Sequence, residues 1–209
     1  MTGPTSPEQS ARPAATRRYG RGVGEPPLAV DPRRSGSLIG LIGGLLFIGS
    51  YSSALGAAVS AAAWAAGVIL VLAALSALYV WPVALGPMAR PGRLALATYV
   101  ACVVGELAVI KLGSQALTAA GHGELRPTLI TGVVGLHFIP FAWAFHERMF
   151  LWLGGLVCVL GVTGLLAGAM GVAHVAETAA VLAGLLMLIV ITVYARGRFA
   201  PSPSGQSTM

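Results

Sequence analysis

Acidic side chains are scarce in this chain, with 7 Asp plus Glu among 209 residues against 13 Lys plus Arg. Charged residues of both signs together reach only 10%. A soluble domain carries about a quarter charged residues, because its surface has to be wetted. This sequence has no such coat, so an ordinary water-soluble domain is excluded. Cysteine is nearly missing too. Cys102 and Cys158 both lie in apolar segments, which excludes a secreted disulfide scaffold. Aspartate occurs once, at Asp31, so no DDxxD-type run exists to hold magnesium and a diphosphate. HExxH, paired CxxC, the GxSxG elbow and a Gly-rich phosphate loop are absent as well. The pair His174 and Glu177 is half a metal site at most.

What is present is hydrocarbon. Hydrophobic residues make up 56% of the chain and form runs longer than the roughly 18–20 residues needed to cross a bilayer. Residues 1–35 are rich in Pro, Gly, Ser and Arg without apolar periodicity, and are expected to be a disordered basic tail. Residues 36–195 are expected to form an all-α bundle of six transmembrane helices, near 38–57, 61–81, 94–119, 128–145, 150–170 and 174–194. Residues 196–209 form a polar tail. The first helix is expected to be uncleaved, since the sequence after it stays membrane-like and contains no polar exported domain.

Placing the basic residues orients the bundle. With the N-terminus inside, the cytoplasmic side receives the six tail arginines, Arg90, Arg93, Arg148, Arg196 and Arg198, and the outer side only Arg126. Both termini are therefore expected in the cytoplasm. The net charge of +6 is read as an orientation device, and no nucleic-acid partner is expected.

Helices in lipid associate through close packing and polar contacts. Gly36, Gly40 and Gly44 recur every four residues, and Gly154, Gly161 and Gly168 every seven, with Gly164 and Gly171 alongside. These stripes predict tight helix neighbours within the chain, and they also permit a homodimer. Pro140 predicts a local distortion of the fourth helix.

Charged groups inside the membrane stand out against this background. Glu106 falls near the middle of the third helix, where a carboxylate has to face protein and be paired, hydrated or protonated. Lys111 lies five residues on, about 140° around the helix, so a direct pair with Glu106 is poorly aligned; its stem is long enough to snorkel outward. His137 lies deep in the fourth helix, where it serves either as a partner for Glu106 or as polar glue between helices. Glu177 near the start of the sixth helix is explained by the helix dipole or by a place at the rim of a cavity. Trp64, Tyr99 and Trp143 are candidates for an aromatic wall able to stabilise positive charge.

The embedded acid Glu106, the second acid Glu177, the aromatic content and the chain size together resemble the small integral-membrane terpene cyclases of actinobacteria and fungi. The segment GLHFIPFAWAF is also similar to one in small bacterial multi-pass proteins of unassigned activity. The first resemblance implies metal-independent, acid-initiated cyclisation of an isoprenoid-like substrate in a bacterial cytoplasmic membrane, without a cofactor. Glu106, His137, Lys111 and Glu177 would then be the catalytic candidates. The other class open to the sequence is a small transporter, channel-like or assembly protein using Glu106 and His137 as a structural or proton-relay pair.

Overall fold

The computed structural model describes residues 32–83, 85 and 92–200. The expected disordered tail falls outside these residues up to position 31, as do Arg90 and residues 201–209. Six long helices make an all-α bundle: α1 (Pro32–Tyr51), α2 (Ala57–Leu75), α3 (Arg93–Ala119), α4 (Arg126–Phe145), α5 (Arg148–Ala169) and α6 (Val175–Ala195). Each is long and apolar enough to cross a membrane.

The first two helices both start earlier than expected, α2 at Ala57, and α1 ends earlier, at Tyr51, while the far end of α2 falls where the sequence puts it. α1 begins at Pro32, so residues 32–35 are helical and are not part of the tail. Proline suits the first turn of a helix, where its missing N–H is not needed. At the far end of α2 a π turn, Ser76–Val80, extends the helix, with the Trp81 N–H donating to the Ser76 carbonyl at 3.0 Å. The connection between α4 and α5 is very short, and His146 makes it by adopting a left-handed φ of 55°.

α6 is the central helix and touches α1, α2, α4 and α5. Small residues let its neighbours approach: Ala176, Ala179, Ala180, Ala183 and Gly184 are all buried. α1 crosses α6 antiparallel with hardly any side chain between the backbones. A Cβ at Gly44 would stand 2.9 Å from the Gly184 carbonyl oxygen, and one at Gly184 would stand 2.6 Å from that of Gly44. One turn away, a Cβ at Gly40 would meet Ile191 at 2.6 Å. Gly36 has nothing within 4 Å. The register places it opposite the end of α6, so the expected packing stripe does not extend that far.

α4 and α5 meet through glycine on both sides. A Cβ on Gly161 would run into the backbone of Gly132, and one on Gly154 would lie 2.8 Å from the Gly135 carbonyl oxygen. The Cys158 thiol adds a weak hydrogen bond to the Gly132 carbonyl at 3.4 Å. Gly164 and Gly168 pack against Thr128 and Leu125 and against α6 residues Ala179 and Val175. The glycine flank of α5 is thus occupied within the chain. Gly171 is no part of it: with φ 82° it forms the turn before α6.

The start of α1 and the end of α6 lie at one end of the bundle, which also carries Arg33, Arg34, Arg93, Arg148, Arg196 and Arg198. Leu85 is buried there in a cluster with Met149 and Tyr194, and the Arg33 guanidinium donates to its carbonyl at 3.2 Å. Arg34 is buried over the Tyr79 ring, 5.0 Å from its centroid. Arg126 stands at the opposite end.

The two kinds of α5 glycine predict opposite behaviour. Gly161→Ala forces α4 and α5 apart and is expected to lose about 1–3 kcal/mol of stability. Gly155→Ala, whose Cβ would have nothing within 4 Å, is expected to leave stability unchanged or slightly raised. Thermal unfolding of the two variants in detergent checks the contrast.

Candidate functional site

α3 is the outlying helix of the bundle, and its substantial helix contacts are with α4 alone. The covered face of α3 is a narrow stripe through Cys102, Glu106, Ile110, Gly113 and Leu117, spaced three or four residues apart as a helix requires. Leu94, Leu96, Val100, Val104, Leu107 and Leu112 are exposed around the remainder, the surface expected of a helix that faces lipid. Four contacts distribute along the seam. At the end opposite the basic one Arg126 turns back to donate to the Thr118 hydroxyl, with Nε at 3.1 Å. Gly113 admits Leu129, whose Cδ2 would lie 2.7 Å from a Cβ at that position. At the basic end Tyr99 stacks on Phe141 with centroids 5.4 Å apart.

The fourth contact is the site. Glu106 Oε2 lies 3.3 Å from His137 Nδ1, with side chains 16% and 13% exposed. The angle is off-line for a hydrogen bond, so the buried Nδ1 has a carboxylate beside it but no aligned acceptor. Glu106 is the central residue of α3, and His137 lies roughly 2 Å along the axis from the centre of α4. Both helices therefore place the pair at the middle of their spans. α4 stays helical through Pro140, which has no N–H, so the Leu136 carbonyl beside His137 lacks its helical donor.

Aromatic rings enclose the histidine towards the basic end. Its ring centroid is 4.1 Å from that of Phe138 and 5.2 Å from that of Phe141, the latter edge-on. Phe150 of α5 stacks on Phe138 at 6.0 Å and meets Phe141 edge-on at 5.8 Å. The phenylalanines at 138, 141, 145 and 150 are not among the residues singled out from sequence. For Phe141 and Phe145 the signal is their i+4 and i+8 spacing from His137 in HFIPFAWAF, which puts them on the histidine's own face, whereas Phe138 is its chain neighbour and Phe150 comes from α5.

The other candidates lie elsewhere. Trp143 is 65% exposed on the outside of α4. Trp64 lies over Gly49, between α2 and α1, its ring 3.2 Å from where a Cβ there would be. Neither belongs to the wall around the pair; of the three aromatics named from sequence, Tyr99 alone does. Glu177 is in the first turn of α6, roughly 12 Å along the axis from that helix's centre, so it lies at a different depth from Glu106. Lys111 is exposed on α3, off the Glu106 stripe, and has no ion-pair partner among the described residues. His122 and Glu124 form an exposed contact at 3.4 Å in the loop before α4. Among the described residues, no group of three or more His, Cys, Asp or Glu side chains is placed to hold a metal ion.

Comparison with protein-family models, with curated proteins and with solved structures gives no match.

Removing His137 while keeping Glu106 leaves a carboxylate in the seam without its neighbour. Glu106→Leu and His137→Leu are each expected to destabilise the bundle, and the double variant to lose less than their sum. A coupling energy of about 0.6–2 kcal/mol is expected from a double-mutant cycle of unfolding in detergent, since interhelical polar contacts in membranes lie in that range.

Proposed function

We propose that the protein is a multi-pass enzyme of a bacterial cytoplasmic membrane that applies an intramembrane acid–base pair, Glu106 and His137, to a lipophilic, isoprenoid-like substrate. The contact that carries this reading is the 3.3 Å approach of carboxyl and imidazole at mid-span, bordered by ring faces. The charge asymmetry between the two ends of the bundle supports cytoplasmic termini. Because α3 packs chiefly on α4, the seam lies at the edge of the bundle and a substrate dissolved in the bilayer reaches it sideways.

The chemistry closes without a net proton. Protonated Glu106 gives its proton to an epoxide oxygen, whose C–O bond breaks with the electron pair moving to oxygen. A chain double bond supplies the pair for the new C–C bond, leaving a carbocation. The Tyr99, Phe138 and Phe141 faces favour such a cation through their quadrupoles. His137 takes the final proton as the last double bond forms, and returns it to the Glu106 carboxylate across the existing contact. Product and substrate are isomers. General acid–base steps of this kind contribute about 10²–10⁴-fold in rate.

The direct contact of the two groups favours a second reading, in which the same pair relays protons in a transporter or channel-like protein. One preparation distinguishes the two. Protein reconstituted in vesicles is incubated with polyprenyl and epoxyprenyl chains while the internal pH is followed. The enzyme reading expects conversion to cyclic isomers, reduced about 10²–10⁴-fold by Glu106→Gln at an unchanged melting temperature. Full turnover in that variant overturns the role of Glu106. Proton flux that depends on Glu106, without conversion of any chain, selects the relay.

A further inference from the structure

α5 carries a feature that neither its packing nor the Glu106 site uses. Its outward face holds a groove of about 470 Å³ lined by Arg148, Leu151, Trp152, Gly155, Leu156 and Val159. Gly155 forms the floor of the groove for no reason internal to the fold. The α5 glycines 154, 161, 164 and 168 all press on α4 or α6, whereas a Cβ at Gly155 would have nothing within 4 Å. Arg148 lies at the basic end of the groove, exposed and without an ion-pair or hydrogen-bond partner among the described residues. The neighbouring Glu147 carboxylate does not neutralise it, being turned towards the bundle to accept from the Tyr194 hydroxyl at 3.4 Å.

The dimensions identify the occupant. From Arg148 to Val159 the helix rises roughly 16 Å, which is close to one leaflet, about half of a 30 Å hydrocarbon core. The exposed face of α5 continues through Val162 and Leu166, but the hollow itself is confined to the half that carries Arg148. A molecule with an anionic head at the helix end and a single extended chain reaching the bilayer centre fits both its length and its charge. The Trp152 ring, one turn in from Arg148, stands at the level where indoles favour the interface. The positive dipole end of α5 favours the same anionic head.

We propose that α5 holds one anionic glycerophospholipid of the leaflet at the basic end, with its phosphate on Arg148 and one acyl chain in the Leu151–Val159 groove. The site is independent of Glu106 and His137 and does not require the enzyme reading.

Native mass spectrometry of the full-length protein in detergent tests this, with dioleoyl phosphatidylglycerol and dioleoyl phosphatidylcholine as probes carrying identical chains. The wild type is expected to keep one phosphatidylglycerol and to prefer it over phosphatidylcholine by about fivefold, the worth of one basic contact. Arg148→Gln should abolish the preference, while Arg196→Gln and Arg198→Gln leave it intact. Gly155→Leu fills the groove and should weaken retention of both lipids, with Gly155→Met as a second filling variant should the first fold poorly. Excess inorganic phosphate should not displace the lipid. The proposal is overturned if the preference survives Arg148→Gln, if both filling variants retain lipid like the wild type, or if phosphate alone competes. A lipid-free dimer that Gly155→Leu dissociates would equally overturn it, by giving the groove to a second copy.

Discussion

The seam between α3 and α4 sets the terms for whatever chemistry this bundle performs. Lipid offers no hydrogen-bond partner, so a carboxyl at mid-span has to find one in the chain. α3 has one substantial helix neighbour, and that neighbour presents His137 at the matching height. The remaining seam contacts, Arg126 on Thr118, Leu129 over Gly113 and Tyr99 on Phe141, hold that height fixed. Register and chemistry are therefore the same property here. A slide of α3 by one turn, about 5.4 Å, would separate carboxyl and imidazole while costing the lipid-facing surface nothing.

The rest of the molecule stabilises α4 so that it can serve as the fixed wall. Glycines at 132 and 135 bring it into backbone contact with α5, and α5 leans in turn on the central α6. The resulting order is a rigid set, α4, α5, α6 and α1, with α3 attached to one side. Packed helices therefore lie on one side of the pair and the open, apolar face of α3 on the other. The same arrangement leaves the outer face of α5 free for the bilayer, and there the groove above Gly155 lies.

Much of this was legible in the sequence, because bilayer thickness imposes a length and charge is rare enough to count. Six spans follow from apolar runs, and Glu106 stands out as a carboxyl at a helix centre. The identity of its partner was only one of two alternatives, since a 3.6-residue period fixes a face but not the helix that covers it. Trp64 and Trp143 show the limit most clearly. A large ring in a membrane helix serves lipid and core equally well, so its residue type does not tell which way it points. The α5 glycine stripe was readable as a packing surface, yet its complement at Gly132 and Gly135 emerges only when the two helices are side by side. Lys111 and Glu177 share the charge that drew attention to Glu106 but lie at other faces or depths.

The order of the helices along the chain also bears on how the protein is made. Synthesis delivers α3 to the membrane one helix ahead of α4, so Glu106 and Lys111 arrive before His137 exists to face the carboxyl. A charged group at a helix centre costs about 2.5–3.5 kcal/mol on insertion. The loop between the two helices is short, with Arg126 reaching back across it to Thr118. Together these features favour insertion of α3 and α4 as one hairpin over insertion of α3 alone. Closing that hairpin brings the Glu106 carboxyl and the His137 imidazole to the same height without any contribution from α5 or α6.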